Sequence, residues 1–247
     1  MWVPWFRNLQ TITPLASGPN LRVPLCVTPF ACLLLLFVIL RLWSSFDVRN
    51  ATGYLVFYML MGAAWLGVAT RLLPWFAISA RDDVLERGNP AALWTVLGAL
   101  VGITLCFAGG NIGDGPGWWV VVFCGLLSTG ALFGLLWVVD LLVAVSDAVT
   151  ADRDPASGIR LGAFLAAEGL VLGRAVAGDW HSAGETIADF VRHGWPAAAL
   201  ALFTVGFQRA LAPTAERPQR GAAAGFPPAL LLLATGAGWV AHLGRFE

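Results

Sequence analysis

The sequence predicts an all-α, polytopic membrane protein of about seven transmembrane helices, containing a tandem two-helix repeat in one orientation. Three observations carry this. Of 247 residues, 58% are hydrophobic and only 12% charged, against about 25% charged in a soluble domain, so little charged surface is available to cover a water-soluble globule. Long apolar runs recur without the alternating pattern of a barrel strand, and away from water a helix satisfies its own backbone. A third of the way along, a stretch recurs 65 residues later with its features in the same order.

Residues 1–24 carry Trp2, Pro4, Trp5, Arg7, Pro14 and Gly18, with no apolar run ahead of a small-residue cleavage site. They read as a cytoplasmic or interfacial tail, with Trp2, Trp5 and Phe6 at the headgroups. Residues 25–247 read as one transmembrane helical domain. A spanning helix needs about 20 apolar residues; the spans expected are 25–43, 53–76, 90–108, 117–142, 158–177, 194–211 and 226–243. The fifth carries Arg160, Glu168 and Arg174, and the sixth is short, Ala-rich and opens on Trp195-Pro196. Between them, Ser182-x-x-Glu185 forms a capping box. Ile187, Phe190 and Val191 follow as an apolar face, so a short helix lying in the interface is expected there.

Arginine sets the orientation, since every basic residue is Arg. The side of the N-terminus holds Arg7, Arg22, Arg71, Arg81, Arg87, Arg153, Arg160, Arg209, Arg217 and Arg220. The other side holds Arg41, Arg49, Arg174, Arg192 and Arg245. The positive-inside rule then makes the N-terminus cytoplasmic and the C-terminus external. The formal net charge is zero, and no basic field points to nucleic acid.

The repeat pairs Asp82 with Asp147, Val84 with Val149, Pro90-Ala91 with Pro155-Ala156, Leu100 with Leu165, Leu105 with Leu170, and Gly113-Asp114 with Gly178-Asp179. The order is an acidic residue, an Asx-Pro-Ala helix start, an apolar span, and Gly-Asp at the exit. Asn89 and Asp154 are placed to cap helices whose first turns hold Pro90 and Pro155, where no N–H is needed. Units of about 53–114 and 118–179 follow, with a decayed third over 194–243. A two-span unit returns the chain to its starting side, so the copies share one orientation about an axis along the membrane normal.

Glu86-Arg87-Gly88-Asn89-Pro90-Ala91-Ala92 resembles the signature of the YjfL-like family of bacterial inner-membrane proteins. That family is similar in its tandem two-helix repeats, each with a Gly-Asn-x-Ala-Ala helix start after an acidic loop. Asp152-Arg153-Asp154-Pro155-Ala156-Ser157-Gly158 departs from the pattern, with Asp for Asn and no preceding Gly. The resemblance covers about half the chain. It implies a multi-pass protein of the bacterial inner membrane and transfers no activity and no catalytic residue.

Small residues three or four apart mark helix seams: Gly158, Gly162, Ala166, Gly169, Gly173 and Ala177; Gly98 and Gly102; Gly130 and Gly134. They let backbones approach closely in lipid. Packing within the chain is the expected use, and a homo-oligomer or another membrane protein is the alternative partner.

No reactive constellation, phosphate loop or paired metal motif is present. Haem needs axial ligands inside the bundle, whereas His181, His193 and His242 lie in the outer loop or at a helix end. No cofactor or metal is expected. His181, Glu185, Asp189 and His193 recur every four residues and read as a solvated face before a metal site. Cys26, Cys32, Cys106 and Cys124 read as buried hydrophobes. Asp114 and Asp179 read as turn residues after Gly, with an acidic vestibule as the alternative. Glu168 lies roughly 15 Å into the fifth span. Three roles are open to it: a protonated carboxyl bonded to a carbonyl or hydroxyl, an ion pair with Arg71, or a transport site. The expected function is a non-catalytic scaffold or accessory subunit, and the alternative is a small ion channel or transporter with a path between the repeats.

Overall fold

The computed structural model describes residues 2–11, 21–214 and 221–244. An amphipathic helix, α1 (Trp2–Thr11), precedes α2 (Arg22–Trp43), the short α3 (Phe46–Asn50) and α4 (Thr52–Ala69). A 3₁₀ stretch over Thr70–Phe76 extends α4, and a π-helical turn over Ala80–Glu86 leads into α5 (Pro90–Gly109). Then come α6 (Trp118–Val143), the short α7 (Val145–Thr150), α8 (Pro155–Ala175), α9 (Ala183–Leu211) and α10 (Phe226–Leu243). No strand occurs among the described residues, only isolated bridges from Ser44 to Ile112 and Gly113.

Six of these helices are long and apolar enough to cross a membrane: α2, α4 with its extension, α5, α6, α8, and α10 with the turn before it. This is the polytopic helical architecture the composition predicts. The segment expected as a sixth span is helical too, but it does not begin at Gly194. It continues without interruption from the helix capped by Ser182, whose hydroxyl accepts from Glu185 N at 3.2 Å. The separate interfacial helix and the short span are therefore one 29-residue α9, about 43 Å long against about 30 Å of hydrocarbon. Pro196 lies inside it and Gly194 is buried beside Ala175, so neither ends the helix. The far end of α9 meets the start of α8 through Gln208, and His193, about a third of the way along α9, accepts from Trp239 near the end of α10. α9 thus runs the length of the bundle, antiparallel to both neighbours.

α8 lies at the centre. It runs parallel to α5, and glycines make the approach close along the whole seam. A Cβ on Gly158 would overlap the backbone of Ala91, one on Gly98 that of Gly162, one on Gly169 that of Gly102, and one on Gly109 that of Gly173. On its other side α8 runs parallel to α10, with Gly225 against Ala156 and Gly236 against Ala167. α2 and α4 flank α5, where Gly62 faces Leu36 and Phe107. Trp65 Nε1 donates to Thr129 Oγ1 at 3.1 Å and ties α4 to α6.

The entries of α5 and α8 share backbone geometry at a spacing of 65 residues. Asn89 N donates to Asp83 O at 3.0 Å, and Asp154 N to Ala148 O at 2.9 Å. Arg87 N donates to Asp82 O at 3.1 Å, and Asp152 N to Asp147 O at 3.0 Å. Gly88 (φ 62°) and Arg153 (φ 53°) are both left-handed immediately before the capping Asx. Asn89 Oδ1 accepts from Ala91 N and Ala92 N, and Asp154 Oδ2 from Ser157 N at 2.9 Å. α8 accordingly begins at Pro155 rather than Gly158.

The N-terminal tail is more tightly held than an interfacial segment requires. Leu9 is buried, Trp2 Nε1 donates to Ala63 O at 2.9 Å, and Trp5 Nε1 to Leu25 O at 3.4 Å. Residues 12–20, Arg217, Arg220 and Arg245 lie outside the described residues.

Candidate functional site

Helix α8 carries the charges that matter inside the bundle. Arg160, one turn and a half from the start of the helix, is 1% exposed. Its Nη2 donates to Ser157 Oγ and to Gln208 Oε1, both at 2.9 Å, and lies 3.6 Å from Asp154 Oδ2. Asp154 Oδ2 also accepts from Ser157 Oγ at 2.6 Å, so the residue that caps α8 is also the counter-ion of its buried arginine. Gln208 Nε2 returns a bond to Ser157 Oγ at 2.9 Å. A lone charge at this depth costs several kcal/mol, and a network of this kind makes it tolerable only while every member stays in place.

Arg160, Phe164, Glu168 and Leu172 recur every four residues along α8, and the row meets α9 at both ends: Arg160 at Gln208, Leu172 at Gly194. Glu168 therefore sits about 12 Å further along the helix than Arg160. It has no exposed surface, and neither carboxylate oxygen has a hydrogen-bond partner among the described residues.

The expected pair with Arg71 does not form. Arg71 is exposed, one residue into the 3₁₀ stretch that extends α4 at the end of the bundle where α5 and α8 begin. Thr70 and Leu73 are the buried residues of that stretch, and Arg71 lies on its exposed side.

Asp114 and Asp179 are brought together where α5 and α8 end. Asp114 N donates to Asp179 Oδ1 at 2.7 Å, Trp180 N to Asp114 O at 2.8 Å, and Gly178 N to Ile112 O at 2.9 Å. Gly113 (φ 102°) and Gly178 (φ 150°) make these turns possible. The two carboxylates are exposed, and Asp179 uses one oxygen to clasp the two exits. Asn89 and Asp154, with Pro90 and Pro155 behind them, clasp the entries: Asn89 Nδ2 donates to Val149 O at 2.7 Å.

Among the described residues no group of three or more His, Cys, Asp or Glu is placed to hold a metal ion. His181 precedes α9, and Glu185 and Asp189 point to the exterior. Of the cysteines, Cys32, Cys106 and Cys124 are buried and Cys26 partly so; all four are free.

The Asp154–Ser157–Arg160–Gln208 network is the feature sequence reasoning missed. Arg160 reads as a boundary arginine and Asp154 as a cap. The available signal was Gln208, a lone amide in an Ala-rich span. The glycine rows divide in use: those of α5 and α8 are consumed between these two helices, but Gly130 and Gly134 are exposed, with no atom within 4 Å of an added Cβ. The α6 pair does not serve packing inside the chain.

Parallel glycine-seamed helices around a central charged helix, with apolar residues facing outward, define a polytopic α-helical membrane protein. The chain belongs to the family described as Domain of Unknown Function (DUF350), whose model matches residues 42–176, the stretch from the end of α2 through α8. No curated protein and no solved structure matches the chain.

Proposed function

We propose that this protein is a non-catalytic scaffold or accessory subunit of the bacterial inner membrane, and that it meets its partner through the lipid-facing side of α6. The observation that carries this reading is the unused glycine pair. Gly130 and Gly134 lie on a face with Leu126, Trp137 and Leu141, each about 60% exposed. A small-xxx-small row free of internal neighbours is the surface on which a second transmembrane helix packs closely in lipid, where hydrophobicity alone does not bring helices together. The partner is a second copy of this chain or another membrane protein. The resemblance of residues 86–92 to the YjfL-like signature supports placement in the inner membrane. The ten-to-five arginine split supports a cytoplasmic N-terminus and, with α9 as a seventh traverse, an external C-terminus. The matched backbone geometry at residues 83–89 and 148–154 supports descent of the α4–α5 and α6–α8 hairpins from one duplicated unit.

A second reading, a small ion channel or transporter, is favoured by Glu168: a fully buried carboxyl with no hydrogen-bond partner among the described residues, midway along a spanning helix. One comparison separates the two. The full chain carrying Gly130→Leu and Gly134→Leu should stay folded and abundant yet lose its partner on co-purification from the native membrane. Loss of no partner, together with ion flux in liposomes that Glu168→Gln abolishes, would replace the scaffold by the transporter.

A further inference from the structure

We propose that the cleft between α1 and the elbow after α4 binds the phosphate headgroup of an anionic phospholipid, with Arg71 as its principal ligand. This reaches beyond the scaffold reading and does not depend on it.

The cleft has a volume of about 220 Å³ and is walled by Trp2, Trp5 and Asn8 from α1 and by Arg71, Pro74 and Arg81 from the elbow. Its chemistry is one-sided: two guanidinium groups line it and no carboxylate does. Arg81 is partly neutralised, with Glu86 at 3.3 Å and Asp82 at 3.9 Å. Arg71 is exposed, and no carboxylate stands within ion-pair distance of it among the described residues. The two indole N–H groups of α1 are already committed to Ala63 O and Leu25 O, so the helix that forms one wall is fixed in position.

The cleft also lies at the right depth. It sits where the apolar run of α4 ends, and Trp75, 81% exposed, stands four residues past Arg71. Tryptophan at this position marks the headgroup layer. A phosphate presented by a lipid at that level meets Arg71 without leaving the membrane surface, and its glycerol and first methylenes meet the Trp2 and Pro74 side chains. A zwitterionic lipid adds a cationic group beside two guanidiniums with no carboxylate in the lining to balance it, so the site favours a net negative headgroup.

The test is native mass spectrometry of the full chain, released from detergent after incubation with equal amounts of phosphatidylglycerol and phosphatidylcholine. Wild-type protein should retain phosphatidylglycerol preferentially. One arginine near a membrane surface contributes an effect equal to about a fivefold change in binding, so Arg71→Gln should weaken retention about fivefold. Arg81→Gln, already shared with two carboxylates, should weaken it less. Arg49→Gln, on the opposite end of the bundle, should leave it unchanged. Arg71 is exposed, and an unaltered melting temperature verifies that its variant is folded; a destabilised variant shifts the decision to Arg81→Gln, judged against the same control. Equal retention of both lipids, a preference that survives Arg71→Gln, or an equal loss in Arg49→Gln would overturn the proposal. Displacement of the lipid by inorganic phosphate at matched concentration would show a site for soluble anions and overturn it as well.

Discussion

Replacing Gly162 by alanine places a methyl group where α5 and α8 touch backbone to backbone. The new Cβ would lie 2.9 Å from the Trp94 carbonyl carbon and nearer still to its oxygen, against 3.4–4 Å in ordinary contact. No side-chain rotation relieves a clash with helix backbone, so the two helices must part locally by on the order of 1 Å, in an interior packed like a crystal. Overpacking of this kind costs about 1–3 kcal/mol. Against the middle of that range, about 2 kcal/mol, the better helix propensity of alanine returns up to about 1 kcal/mol, leaving a net loss of about 1–2 kcal/mol. For a chain of this length each kcal/mol moves the melting temperature by about 2–4 °C, so Gly162→Ala should melt about 2–8 °C lower. Gly130→Ala is the control on the same chemistry: nothing lies within 4 Å of its Cβ, so it should melt at or slightly above the wild-type temperature. Thermal unfolding of the full chain in detergent, followed by tryptophan fluorescence and by size exclusion of the heated protein, measures both. Equal melting of Gly162→Ala and wild type, or an equal drop for Gly130→Ala, would refute the division of the glycines into internal and external rows.

Arg153 holds a left-handed φ of 53° where the equivalent position is Gly88, so Arg153→Gly should gain about 1 kcal/mol in the same melting assay; a loss would show that its side chain matters more than its backbone. Asp154→Asn leaves Arg160 buried without a counter-ion and should cost about 3–5 kcal/mol, seen as lost membrane abundance that Asp154→Asn with Arg160→Met largely recovers. If the single change costs no more than Glu86→Gln at the exposed Arg81 pair, the buried network is not structural. Glu168→Gln replaces a carboxyl whose oxygens make no hydrogen bond among the described residues by an amide of the same shape, so stability should change by no more than about 1 kcal/mol; a loss of several would reveal a bound cation or an ion pair.

The helices were legible in the sequence because each apolar run announces its own length, and the two Asx-Pro starts because capping is local chemistry confined to a few residues. Pro90 and Pro155 begin α5 and α8 as that chemistry requires. What was not legible depends on which helix faces which. Glu168 and Arg71 are 97 positions apart (168 − 71), and the idea that they meet rested on depth alone; that Arg71 falls on the exposed side of the 3₁₀ stretch after Ala69 is not something hydropathy reads. The two glycine rows look alike as text, yet one lies against backbone and the other against lipid. The interfacial helix and the sixth span read as two because a capping box at Ser182 and a Trp195-Pro196 opening both look like helix starts, yet proline inside a membrane helix is tolerated when neighbours compensate its missing bond.

The burial of α8 accounts for its composition. A helix facing lipid must be apolar on its outer side, as α2, α4 and α10 are at Leu34, Leu60 and Leu230. α8 is released from that constraint, since 83% of its span is buried, against 28% for α10. It can therefore spend positions on glycine, where α5 approaches, on Arg160, where Gln208 of α9 meets it, and on the buried Glu168. In α9 the division is by position: Arg192 and Arg209, the charges that lower its apolarity, are exposed, while the polar Thr204 and Gln208 between them are turned inward and buried.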